Sequence, residues 1–438
     1  MSTEQPEILA APKMVNPRSL GRALLLLAFC PILMAQSVAI NQKAAPPPAK
    51  GNPPASGPWH LPGKPPPPSA YAGSAACAQC HQKIAEEYAK TNHALDSTLP
   101  SAKTIRGSFA RNQAVFRTKN PNLVFVMTAT PAGFFQTAVN TSNPRHLTAQ
   151  MQRFDIVIGS GRHGQSYLYW AGDLLYELPV SYWTEKHEWV NSPGYPPGEL
   201  HWERPVGPRC LECHASYFRW LPPPLNRYAK GSLRLSIDCE RCHGPGALHV
   251  ARERSAHPPG IGSPKIAIVN PARLSREQQM SLCSLCHAGG GTPIRAPMSF
   301  VVGDNIHNYL RITPLPLNAP VDVHANQAGA LEQSKCYSSG KLTCLTCHDV
   351  HKPQENADAY SKYCLECHQV KSCGRYHALG ASIRGRCVEC HMPILKSRVL
   401  TTADRGKTMH LTLRAHRIAI YPNVTLSNAG THASAPKR

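Results

Sequence analysis

The chain has 438 residues, of which 42% are hydrophobic, 17% charged and 7% aromatic, with 42 Pro, 30 Gly and 17 Cys. A charged share below the usual quarter and proline at about twice its usual frequency argue against a large close-packed doubly wound enzyme, and the near-globular apolar share argues against disorder throughout. The formal net charge of +21 excludes nothing until bound anionic groups are counted.

In chain order, residues 1–22 are polar and carry Lys13, Arg18 and Arg22, and an apolar run follows from Ala23 to Ala35. Ser37-Val38-Ala39 supplies small residues where a signal peptidase would cut, so 1–39 is expected to be a secretory signal peptide. The run is short for a bilayer span of about 20 residues and contains Pro31. If it stays uncleaved, it is an N-terminal membrane tether. Phe29 before Cys30 fits a lipid-attachment site poorly, which leaves Cys30 as part of the apolar run. Residues 40–70 hold a dense run of prolines, from Pro46 to Pro68, and are expected to form an extended, semi-rigid linker.

The remaining cysteines fall into one pattern. Fourteen of the 17 lie in seven copies of C-x-x-C-H, against roughly 0.03 copies expected from composition for a spacing that attaches c-type haem. The copies are Cys77/Cys80/His81, Cys210/Cys213/His214, Cys239/Cys242/His243, Cys283/Cys286/His287, Cys344/Cys347/His348, Cys364/Cys367/His368 and Cys387/Cys390/His391. Two thiols three residues apart reach the two vinyl groups of one porphyrin, and the adjacent His becomes the proximal iron ligand. Zinc sites and disulfide frameworks do not demand a His after every second Cys. A thioredoxin-like motif would be expected once, near a βαβ pattern. Seven covalent haems c are therefore expected, attached outside the cytoplasm, so the protein is expected to be periplasmic or extracellular.

Between His81 and His214 run 133 residues, whereas later motif histidines follow at gaps of 29, 44, 61, 20 and 23. The expected organisation is a first haem-binding segment at 71–104, a β-rich haem-free insert at 105–205, a hexahaem region at 206–420 and a flexible tail at 421–438. Within the insert, 122–139 reads as a hairpin turning at Pro131-Ala132-Gly133, and 154–183 as further strands turning at Ala171-Gly172-Asp173. Short helices are expected at 82–90 and 276–285, the second capped by Ser275. The expected fold class is a multihaem cytochrome c, mainly short α-helices and irregular loops organised around stacked haems, with a small β-rich insert.

Seven proximal ligands leave 15 of the 22 histidines, against six methionines beyond residue 39, which favours His on both faces of most irons and low potentials. His93, His249, His351 and His416 are the candidate distal ligands. Weaker ones are His163, His307, His324, His377 and His410, whereas His60 and His432 lie in the tails. Cys336 and Cys373 fall outside the motifs and are expected to pair as a disulfide. Two propionates per haem bring the net charge down to about +6, so nucleic acid is not an expected partner.

The runs at Ala72–His81, Cys239–Gly246, Thr343–His351 and Cys387–Pro393 resemble multihaem c-type cytochromes, the group of the tetrahaem cytochromes of nitrifying bacteria and the larger nitrite reductase and hydroxylamine oxidoreductase relatives. The resemblance covers 70–420. It implies parallel and perpendicular haem pairs, mostly bis-His ligation, electron transfer with membrane or periplasmic redox partners, and distal roles for His249, His351 and His416. The chain departs from the nitrite reductases in lacking C-x-x-C-K, and from the tetrahaem members in its seven motifs and its insert. Electron carriage is the expected function, alone or as a subunit of a larger cytochrome complex. The alternative is an oxidoreductase for a small nitrogen or sulfur compound at one open iron, with His81's haem as the site and Arg162, His163 and Tyr167 as its lining.

Overall fold

Alternating apolar and polar residues with β-branched and aromatic enrichment dominate residues 115–191, and that pattern forms strands. The computed structural model describes residues 64–143, 145, 147–255, 268–317, 326–404 and 407–422. The expected signal peptide, most of the linker, most of the tail, and Cys30, His60, His324 and His432 lie outside them. No helix among the described residues is long and apolar enough to cross a membrane.

The strands, in chain order, are β1 (Ser97–Thr98), β2 (Val115–Arg117), β3 (Leu123–Thr130), β4 (Gly133–Asn140), β5 (Thr148–Arg153), β6 (Ile156–Ile158), β7 (Gly164–Ala171), β8 (Leu174–Glu177), β9 (Val180–Trp183), β10 (Glu188–Asn191) and β11 (Arg204–Pro205). Strands β2-β3-β4-β5 form one antiparallel sheet. A seven-stranded sheet runs β1-β6-β7-β8-β11, with β9 also paired to β7 and β10 to β9. Both turns fall where the sequence places them: Thr130 pairs with Gly133 across Pro131-Ala132, and Ala171 with Leu174 across Gly172-Asp173. At Gly172 φ is +64°, a region that L side chains rarely adopt.

The two sheets close on one aromatic core. Phe116, Phe125, Met127 and Ala138 of the smaller sheet meet Val157, Tyr167, Tyr169, Val180, Tyr182 and Trp189 of the larger. Tyr167 stacks on Phe154 with ring centres 4.3 Å apart. A Cβ at Gly107 would lie 2.2 Å from the Trp189 ring, so only glycine lets that indole close the core edge. The fully buried Gln136 amide donates to Val180 O at 2.9 Å and accepts from Val180 N at 3.0 Å, tying sheet to sheet as a backbone partner would.

The opposite face of the larger sheet is buried as well. Ile156, Leu168 and Leu175 pack with Val206, Leu211, Tyr217, Phe218, Tyr228 and Met298, so the sheet leans on the second motif through Leu211. All described residues belong to one compact unit.

Beyond residue 205 the chain is mostly short helices, and both expected ones form, Gln82–Tyr88 before the sheets and Arg276–His287 after them. The latter starts in a capping box of Ser275 and Gln278. Two features depart from the expected helix-and-loop picture. The strand-rich part contributes two full sheets rather than a minor insert, and the chain ends in a long antiparallel hairpin, Ile394–Asp404 with Lys407–Arg414. The fold is mixed α/β. Thr-rich alternation in 401–412 is the signal that marks this hairpin. Its Thr402 hydroxyl donates to Asn191 O of β10, so it extends the strand-rich side of the molecule.

Candidate functional site

Each C-x-x-C-H sits on a single helical turn. The amide of the motif His donates to the first Cys carbonyl in His81 (2.9 Å), His348 (3.0 Å) and His368 (2.9 Å). Positions i, i+3 and i+4 of such a turn share a face, so both thiols and the imidazole are presented together. Asp238 caps the third turn by accepting from Glu240 N at 3.0 Å, and the fourth motif closes the helix Arg276–His287.

Thiols of different motifs lie against one another: Cys77 with Cys239, Cys213 with Cys286, Cys283 with Cys344, and Cys364 with Cys387. Within each of the first three pairs one thiol is held low by its partner's hydrogen bond, Cys239 and Cys213 down to about 6, while the partner is pushed up. Burial raises Cys242 to about 11. The motifs thus border one another as first–third, second–fourth, fourth–fifth and sixth–seventh.

Among the expected cofactor-binding thiols, Cys80 and Cys367 lie on the outer side of their motifs. Both are exposed, as are the adjacent His81 and His368. The reason is local. The bordering motif covers the first thiol of each turn, Cys77 against Cys239 and Cys364 against Cys387, and leaves the second on the outer side. The first and sixth motifs are therefore surface motifs. Cys210 is exposed too, but enough protein surrounds it that desolvation raises its thiol. Cys336 and Cys373 correct the disulfide expectation. Both are free thiols, because Cys336 lies near Cys347 and Cys364 whereas Cys373 lies near Cys390.

Three imidazole pairs stand out. Ring centres are 6.1 Å apart for His93 and His287, 6.0 Å for His243 and His351, and 6.3 Å for His348 and His416. Two imidazoles on opposite sides of one metal, each at about 2 Å from its nitrogen with roughly another 1 Å to the ring centre, stand about 6 Å apart. The spacing therefore fits an iron between each pair. Burial favours the neutral form of five of them: His287 and His416 are lowered to about 4, and His93, His243 and His348 are also lowered. Outer hydrogen bonds orient them. His243 Nδ1 lies 2.8 Å from Val269 O and His416 Nδ1 3.1 Å from Arg414 O, leaving Nε2 for a metal. His391 has the same arrangement, with Ala419 O at 2.9 Å.

Of the four candidate distal histidines, His93, His351 and His416 form a ring pair with a motif imidazole, and His249 forms no such pair among the described residues. Its ring lies near His243 and 3.9 Å from Glu253. His163 pairs with Glu185 at 2.7 Å, and His410 Nδ1 lies 2.9 Å from Ser397 O. His307 lies near Glu332, and His377 sits in the helix Tyr376–Leu379.

The lining proposed for an open site at His81 does not assemble. Tyr167 is fully buried in the sandwich core, Arg162 hydrogen-bonds Gln354, and His163 is held by Glu185. The strand-rich part borders the second motif: Ser97 Oγ donates to His214 O at 2.6 Å, and Leu211 packs under β7 and β8.

Sequence reasoning missed three residues that hold the motifs. Glu240, inside the third motif and almost fully buried, accepts from Ala72 N (2.7 Å), Gly73 N (2.8 Å) and Gly246 N (2.7 Å), which fastens the first motif's helix start to the third motif. Arg241 donates through Nη2 to Glu212 O at 2.7 Å while its buried Nε finds no protein acceptor. That cation lines a cleft with Tyr71, His243 and Phe300, which suits an anionic group such as a haem propionate. Asp96 Oδ2 lies 2.8 Å from His214 Nδ1. No spacing signal marks these residues, because each works through a fold-made contact far along the chain.

No protein-family model and no curated protein matches the chain. Two solved cytochromes are similar in structure. Outer cell wall cytochrome OcwA is 16% identical with a TM-score of 0.49, over 80% of this chain and 79% of that one. The undecahaem cytochrome from the S-layer of Carboxydothermus ferrireducens is 17% identical with a TM-score of 0.38, over 81% of this chain and 53% of its own length, so the chain spans about half of that protein.

Proposed function

We propose that the chain is an exported c-type cytochrome that holds seven covalent haems and carries electrons between redox partner proteins. The single observation that supports it most is the conjunction of seven C-x-x-C-H turns with three imidazole pairs at 6.0–6.3 Å. Bound there, the haems would supply one-electron chemistry at low potential, as bis-His ligation favours.

The chain's own residues do the rest. The fourteen motif cysteines would attach the groups, Cys80 and Cys367 from the exposed side of their motifs. The motif histidines His81, His214, His243, His287, His348, His368 and His391 would each ligate one iron. His93, His351 and His416 would supply second ligands at the fourth, third and fifth motifs. Arg241 offers its free N–H to an anionic edge, and the bordering motif pairs set which groups are neighbours. His351 follows the fifth motif yet faces the third, and His93 follows the first yet faces the fourth, so these crossings knit the motifs into a network rather than a string. An N-terminal signal and a proline-rich linker agree with a protein held outside the cytoplasm, tethered to a membrane if the signal stays on.

Low-temperature EPR on the oxidised, matured protein, with haem counted in the same sample, tests this. The expected result is seven haems, with low-spin signals from the three sites that have paired imidazoles. Fewer than seven haems would overturn the count. A stoichiometric high-spin signal would move the function from carriage to chemistry at an open iron.

A further inference from the structure

We propose that Asp96 holds down the reduction potential at the second motif through its hydrogen bond to His214, an inference that rests on the haem reading above. Among the described residues, His214 is the only one of the seven motif histidines whose ring bonds to a carboxylate. His243 and His391 face backbone carbonyls and His287 faces the Gln327 amide. A carboxylate on Nδ1–H makes the imidazole a stronger donor and places a negative charge behind the metal, and both favour the oxidised form.

The local fold is built for this contact. Asp96 follows the turn that carries His93, and the next residue begins β1, which pairs with β6 at Ile158. Ser97 Oγ donates to His214 O at 2.6 Å and accepts from Ser236 N at 2.7 Å, so the proximal histidine is gripped at both backbone and ring by two consecutive residues. The Asp96 side chain is one-fifth exposed, which limits screening of its charge. Asp96 also acts electrostatically on His93 and His287, the pair at the fourth motif, so a smaller effect is expected there. The second motif borders the fourth through Cys213 and Cys286 and is backed on its other side by the sheet.

The test is a potentiometric titration of the full matured chain, with thioether-bound haem confirmed on the Cys210/Cys213 peptide by mass. In Asp96→Asn one couple is expected to rise by about 59 mV, a tenfold change in the one-electron equilibrium, with lesser shifts elsewhere. Asp96→Glu, which restores a carboxylate, is expected to recover most of the shift. Ser97→Ala removes the backbone grip and leaves the charge, so it is expected to leave that couple in place. If Asp96→Asn fails to mature, Asp96→Ser removes the same charge and reads the same couple. Unchanged couples in the neutral variants, or an equal shift in Ser97→Ala, would overturn the inference. A wild-type peptide without haem would overturn the haem reading itself, which the mass distinguishes from failure of the Asp96 role.

Discussion

The strand-rich part and the motif-rich part of this molecule are held together by different means. Large fully buried side chains such as Phe125, Phe154, Tyr167, Phe218 and Tyr228 all precede residue 230, with Met298 the exception. From residue 340 to 422, a stretch with three motifs, the apolar side chains whose burial is described and which are buried are Ile383, Val388, Pro393 and Ala415. A segment that size cannot offset its chain entropy by burying so little. The first region closes on itself as sheet on sheet. The second surrounds histidines and thiols, and its missing core is what the haems would supply.

The largest expected effect breaks the molecule along that line. Full-length chain made without haem attachment should keep hydrogen-exchange protection in the strands from Val115 to Asn191 and lose it across 340–422. Equal protection in both regions would mean that the motif-rich part folds without its cofactor. Next in size is Tyr167→Ala, expected to cost about 3–5 kcal/mol by opening a cavity against Phe154 and Trp189. The expected readout is a lower denaturation midpoint of the strand-rich part, with an unchanged haem spectrum in the folded protein.

Glu240→Gln probes the other region. Its carboxylate accepts three backbone amides and lies 3.5 Å from Arg234, and a carboxamide offers one acceptor oxygen in place of two. The expected cost is about 1–3 kcal/mol, read as earlier thermal loss of haem absorbance. Unlike Tyr167→Ala, this variant should disturb the first and third motifs and leave tryptophan fluorescence from the sandwich in place.

How much of this was legible in the sequence follows the same division. The seven motifs, the hairpin at Pro131-Ala132 and the turn at Gly172-Asp173 are local patterns, set by spacing or by φ, and they were readable. Which thiol of a motif the protein covers was not, since Cys80 and Cys367 differ from Cys77 and Cys364 only in what another motif brings against them. His93, His351 and His416 were readable as spare histidines, but the motif each one faces was not. His351 faces His243, a partner fixed by how the chain crosses rather than by neighbourhood in sequence. Tyr167 was misread because one Tyr in an alternating strand points to the sandwich core or to the motifs according to register alone, and a one-residue difference reverses the face. Asp96, Glu240 and Arg241 carry no sequence signature. A buried carboxylate or guanidinium becomes a motif-holding group only when a distant amide or imidazole arrives.

The smallest expected effect lies on the border between the two regions. Glu177, at the end of β8, has its carboxyl raised above the ordinary value chiefly by burial, against opposing pulls from Arg204, Ser166 and His214. A native pKa above the unfolded value means that the protonated form favours folding. That contribution is complete below the unfolded pKa and is lost as pH rises through the raised native one. Glu177→Gln cannot ionise, so it should match the wild type in acid and gain stability relative to it as pH rises, reaching a plateau above the raised pKa. Arg204 keeps a role in the variant, since it still donates to Pro193 O at 2.6 Å and lies over the Tyr195 ring. Denaturant titrations of both proteins from pH 4 to 8 read the difference. Parallel curves would show that Glu177 is solvated in the folded protein, and the boundary would then be wetter than the close packing of Leu168, Leu175 and Leu211 beside it implies.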